Sequence, residues 1–218
     1  MIMKILMNYN KNIIDLIRES HKFQYSEIGE ANNEKNKPKY YFTKNQWVII
    51  FIVLIYLFYP SCGFPKDFSG YVISGLSIFV GLFFTFLLTL YSKFKEIDFQ
   101  SILSGNNEPL KRRTLVLKNY LKKISVLSLY SILLSIICII LLSFSLIISQ
   151  LSVVTNIKDI TLVIDEIDIL LTIKTLLIII YRGITTYFIF NFVSITIYLV
   201  GSFYDFIISE FDQIKIKK

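Results

Sequence analysis

Long uncharged apolar runs alternate with short charged segments along this chain, and the length of the runs decides the fold class. Four are long enough to cross a bilayer: Asn45 to Pro65, Phe68 to Ser92, Ile124 to Ile157 and Gly183 to Tyr204. A helix needs roughly 20 apolar residues to traverse about 30 Å of hydrocarbon. Backbone N–H and C=O groups in lipid have no water to bond, so each run is predicted to be an α-helix. The runs lack the alternating polarity of a membrane β-barrel. Only Lys66 and Asp67 separate the first two, which predicts a tight antiparallel hairpin. The predicted class is all-α: a polytopic membrane protein with four transmembrane helices, at about 45–65, 68–92, 124–150 and 183–205.

Charge then orients the spans. Basic residues collect on the cytoplasmic side of a membrane protein, and acidic ones contribute little to the choice. Of the 23 Lys and Arg, all but Lys66, Lys158, Lys174 and Arg182 fall in residues 1–44, in the 93–123 loop or in the 209–218 tail. Both termini are therefore expected inside, with an outer connection over 151–182 that also carries Asp159, Asp165, Glu166 and Asp168. The net charge of +7 is then mostly a cytoplasmic feature. Lys111, Arg112, Arg113, Lys118, Lys122 and Lys123 make a basic patch just before the third span, suited to anionic lipid as well as to the insertion rule. No base-stacking motif accompanies the charge, so direct nucleic-acid binding is not expected. Two cytoplasmic stretches have amphipathic spacing, "NKNIIDLIRESHKF" with Ile13, Leu16 and Ile17, and "LKRRTLVLKNYLKK" with Leu110, Leu117 and Leu121. Residues 27–39 are polar enough for a linker.

Within the spans, small and hydroxyl side chains mark where helix backbones approach, because lipid gives apolar surfaces no reason to associate. The second span carries Gly70, Ser74, Ser77, Gly81, Thr85 and Thr89 at steps of three and four. The third keeps a seven-residue pattern through Ser128, Ser131, Ser135, Cys138, Ser145, Ser149 and Ser152, interrupted by Leu142, a period that implies a left-handed seam. The fourth places Tyr187, Asn191, Ser194, Tyr198, Gly201 and Asp205 on one face. These stripes are either helix-to-helix seams within one copy or a wet lining shared by several copies, with Asn191 the residue to test first.

Lys174 and Arg182 sit in an otherwise apolar stretch, "LLTIKTLLIIIYRGITTYFIFNF". Apolar character continues from Ile169 to Ile208, which as one helix would reach about 60 Å, twice the hydrocarbon thickness. Two registers follow. In one, residues 184–204 occupy the core, Tyr181 and the snorkelling Arg182 mark the outer interface, and Lys174 is outside the lipid. In the other, residues 172–192 span, which puts Arg182 near mid-bilayer at about 2.5 to 3.5 kcal/mol. The first is favoured on that ground. It leaves Leu176, Leu177, Ile178, Ile179 and Ile180 outside the hydrocarbon, where they need burial, so a homo-oligomer is expected.

Composition agrees with the class: 54% hydrophobic, 18% charged, mean hydropathy +0.60. Chemistry is scarce. His21 is the one histidine, read as an ordinary surface residue, and Cys62 and Cys138 lie at different expected depths, so neither a disulfide nor a metal or redox pair is predicted. No cofactor and no enzyme activity are expected, and without an intramembrane carboxylate in the first three spans proton-coupled transport is disfavoured. Nothing at the N-terminus reads as a cleaved secretory signal, so the first span is expected to direct insertion.

This plan, four spans with both ends inside and a basic cytoplasmic face, resembles the small membrane accessory proteins encoded beside bacterial immune systems, such as the four-span accessory of type VI-B CRISPR loci and the membrane subunit of the Kiwa defence system. The likeness is one of architecture across the whole chain, and no residue is carried over from it. It implies an inner-membrane effector that permeabilises or depolarises the membrane under control of a cytosolic protein or ribonucleoprotein. The alternatives are a small transporter or ion channel, and a non-conducting anchor for a cytosolic complex.

Overall fold

A computed structural model describes residues 2–25, 43–57, 64–96, 108–148 and 169–215. All secondary structure among them is helical: α1 (Ile2–Tyr25), α2 (Lys44–Leu57), α3 (Lys66–Glu96), α4 (Glu108–Ile148) and α5 (Ile169–Lys215). Ser149, Ser152, Cys62, residues 26–42 and most of the expected outer connection, 149–168, lie outside the described residues.

Local chemistry accounts for where the helices begin and for how far they run. Thr43, a side chain favoured at an N-cap, precedes α2. Pro65 precedes α3, its carbonyl accepts from Ser69 N at 3.0 Å, and Asp67 sits in the first turn where the helix dipole favours an acid. Pro109 lies in the first turn of α4, where its missing N–H removes no helical bond. After it, neither Gly nor Pro occurs as far as Ile148, and α5 contains no Pro at all. Nothing therefore breaks either helix, and α4 and α5 reach 41 and 47 residues.

Three helices are long and apolar enough to cross a membrane, over Asp67–Ser92, Leu110–Leu146 and Leu176–Ile208. Of the first apolar run, the described part is an apolar helix of 14 residues, about 21 Å long, and residues 58–63 lie outside the described residues. Residues 169–181 are continuous with the rest of α5.

The chain divides into two compact units. The first joins Met1–Thr43, Leu82–Ile132 and Ile195–Lys218. Its core is Tyr120, Ile124, Val126, Leu127 and Tyr130 of α4 with Ile195 and Leu199 of α5. Tyr120 stacks on Phe206 at 4.1 Å between ring centres and donates its hydroxyl to the Ser202 carbonyl. The second unit joins Lys44–Gly81 and Leu133–Ser194. It buries Ile49, Val53, Leu76, Leu134, Cys138, Leu142 and Phe192, with Phe79 edge-on to Phe192 at 4.7 Å.

Both units are inverted relative to a water-soluble domain. Ser128, Ser131 and Ser135 are 0% exposed, while Trp47, Phe51, Ile78, Leu82, Phe84, Ile197 and Val200 point outward. Large apolar side chains outside and hydroxyls inside are what a helix bundle in lipid selects.

Candidate functional site

Two charged side chains are buried, one in each unit, and no Asp or Glu is buried among the described residues. In the second unit Arg182 is 1% exposed. Its Nη2 donates to the Tyr56 carbonyl in the last turn of α2, and its guanidinium lies 4.3 Å from the centre of the Tyr56 ring. The last four carbonyls of a helix have no partner within it and carry the negative end of its dipole, so a cation there satisfies both hydrogen bonding and charge. Gly183, next in sequence, lets Leu57 close in: a Cβ at 183 would meet Leu57 Cδ1 at 3.3 Å. Tyr181 donates to the Leu141 carbonyl of α4. The expectation of a snorkelling Arg182 is thus corrected, because an unbonded helix end within reach attracts the guanidinium more than solvent does. Lys174 lies on α5, its side chain outside the description.

In the first unit the expected basic patch divides by role. Lys111 is half-buried and pairs with Glu108 at 3.5 Å, while Arg112, Arg113 and Lys118 are exposed. Lys122 reaches Glu19 of α1 at 3.0 Å. Lys123 turns inward instead. It is 6% exposed, and its Nζ sits 4.9 Å from the centre of the Tyr198 ring on α5. Tyr198 in turn donates to the Phe23 carbonyl of α1 at 3.0 Å.

α1 docks on this region by its polar end. Ser20 is buried, His21 is half-buried with its ring edge-on to Tyr130 at 5.9 Å, and Nε2 is 3.5 Å from the Tyr130 hydroxyl. His21 is therefore a packed residue and not the surface one expected from sequence. Of the apolar stripe read on α1, Ile13 and Ile17 are exposed and Leu16 is half-buried; Ile14 beside them is exposed too.

Two of the expected seams are also redrawn. On α5, Asn191 is buried and Tyr187, Ser194 and Tyr198 are half-buried, but Gly201 and Asp205 are exposed. Burial centres one residue further on, at Phe192, Ile195, Leu199 and Ser202, because the larger side chains fill the contact better than the polar stripe beside them. On α3, Ser74, Ser77, Gly81, Thr85 and Thr89 all face outward. The α4 stripe lies inside: Ser128, Ser131, Ser135, Cys138, Leu142 and Ser145 are each buried.

Sequence reading missed Gln24, whose Nε2 is buried without a partner among the described residues, and the inward turn of Lys123. The signal available was the seven-residue spacing of Lys123 and Tyr130, which puts the cation on the aromatic side of α4, about 140° around the helix from Lys118. Comparison with family models, curated proteins and solved structures finds no match, so these residues are read on their own geometry.

Proposed function

We propose that this chain is an oligomeric, multi-pass inner-membrane effector or accessory, of the kind encoded beside bacterial immune systems. In this reading four helices cross with both termini in the cytoplasm, and α1 with the 93–123 segment receives a cytosolic partner. The response is a rearrangement of the polar seams that permeabilises or depolarises the membrane. The observation that carries it is the inverted packing, with hydroxyls and two cations inside and large apolar side chains outside.

Two surfaces support self-association. The outward stripe of α3 is smooth: Ser77 and Thr89 turn their hydroxyls onto the Ile73 and Thr85 carbonyls, and a Cβ added at Gly70, Gly75 or Gly81 would meet nothing. Small residues spaced by four with satisfied hydroxyls allow a second helix to approach closely. Leu176, Leu177 and Ile180 of α5 are also outward-facing.

The test is flux from liposomes holding the purified chain. Dissipation of an imposed ionic gradient, lost in Asn191→Leu, is the expected result. A second reading, a non-conducting anchor, is favoured by the closure of the α4 seam, where Ser128, Ser131 and Ser135 have no exposed surface in a single copy. An anchor binds its partner and passes no ions. That outcome refutes the effector reading.

A further inference from the structure

The contacts of α1 fix its roll against α4. Glu19 meets Lys122 at 3.0 Å, at the charged end of α4, and His21 sets its ring edge-on to Tyr130 at 5.9 Å. At 1.5 Å per residue, Tyr130 is about 12 Å further along α4 than Lys122, inside the uncharged run that begins at Ile124. Ser20, between Glu19 and His21, is fully buried. One flank of α1 therefore looks toward the charged level of α4 and the other toward its apolar level. Tyr198 of α5 holds the Phe23 carbonyl at 3.0 Å and anchors the same end of α1.

The rest of α1 is placed around that line at about 100° per residue. Ile17 and Ile14 precede His21 by one and two turns and share its flank, with Ile13 beside them, and all three are exposed. Lys11, Arg18 and Lys22 are exposed too, on the side opposite Ser20 and roughly 110° around from the isoleucines. The apolar stripe thus faces the apolar level of α4, and the cations face away from it. A helix lying in a membrane interface has this arrangement: its apolar face enters about 5–10 Å into the headgroup and acyl boundary, and its Lys and Arg stay among the headgroups. A second copy fits less well. Three isoleucines are far short of the about 800 Å² per partner that stable interfaces bury, and a two-fold contact would bring the cations of both helices together.

We propose that α1 is an interfacial helix. Ile13, Ile14 and Ile17 seat in the acyl boundary of the leaflet beside the N-terminal end of α4, and Lys11, Arg18 and Lys22 take anionic phospholipid headgroups. The seat stands independently of conduction and of which side of the membrane holds the termini.

The experiment uses the full chain in nanodiscs of phosphatidylcholine, with or without phosphatidylglycerol, and reads depth as fluorescence quenching by acyl-brominated phosphatidylcholine. Trp47 is the one tryptophan, so Trp47→Phe clears the background. In that background Ile14→Trp and, separately, Ile17→Trp report the apolar face, and Lys11→Trp reports the cationic one. Bromine is expected to quench the first two severalfold more than the third. Phosphatidylglycerol widens the difference, because a charged surface attracts cations held within a Debye length of it. Arg18→Gln combined with Lys22→Gln abolishes that widening and leaves the quenching in phosphatidylcholine as it was. Equal quenching on both faces overturns the seat. So does an Ile14→Trp reporter shielded from aqueous iodide yet untouched by bromine, since a second copy would then cover it. A difference that ignores phosphatidylglycerol overturns the headgroup assignment. All three reporters stand at exposed positions, so no outcome turns on loss of the fold.

Discussion

Arg182 and Lys123 are both cations enclosed by helices and set against a tyrosine ring, yet their surroundings differ in one respect. Arg182 has a helix end to cap: the Tyr56 carbonyl accepts from it, and the Tyr56 ring lies beneath it. Lys123 has the face of the Tyr198 ring, 4.9 Å from its centre. A guanidinium can stack on a ring and donate in its own plane at once, whereas an ammonium meets a ring as a compact point charge. Arg182 is thus a structural pin on the end of α2, and Lys123 is a cation resting on an aromatic face of α5.

Substitutions can break this contrast. The largest effect is expected at the pin. Arg182→Ala removes a charge-assisted hydrogen bond and a desolvated cation–π contact, and destabilises the folded chain by about 3 kcal/mol. Chemical unfolding in detergent measures it, and a loss near zero would mean that the end of α2 needs no cap. Lys123→Met removes the contact of the ammonium with the Tyr198 ring and keeps most of the side chain's length, so the expected loss is smaller, about 1 kcal/mol. Should it destabilise as Arg182→Ala does, the two cations would have the same role.

Smaller effects sharpen the picture of the first unit. Tyr120→Phe keeps the stack on Phe206 but leaves the Ser202 carbonyl without its donor, for a loss of about 1 kcal/mol in the same assay. Lys122→Ala removes an exposed pair with Glu19, and the expected change is about 0.5 kcal/mol or less, diminishing as salt is added. A larger value would make Lys122, not Lys123, the cation that fastens α1.

Much of the fold is legible in the residue order, and the reasons are local. Residues 68–92 read as a helix from their length alone, because in lipid a helix satisfies its backbone within one segment. The α4 stripe from Ser128 to Ser145 is visible through its seven-residue period, since one helix face repeats at that spacing whatever it packs against. On α5, burial within a single copy centres one position beyond the stripe read from the residues, about 100° around the helix, because choosing between adjacent stripes needs the shape of the neighbouring surface. The candidate site is less legible still. Lys122 and Lys123 are identical in sequence terms, yet one meets Glu19 and the other Tyr198, and the difference follows from where α1 and α5 lie.

The sequence by itself determined the class of molecule, helical and with apolar runs long enough to cross a membrane, of which three are helices of that length among the described residues. Those properties depend on run length and composition, which the chain carries before it folds. Only the tertiary structure decided that Arg182 caps α2, that α1 docks through Ser20 and His21 with its isoleucines outward, and that Lys123 is enclosed. Each of these depends on contacts between residues far apart in the chain, whose orientation is set by packing several helices at once.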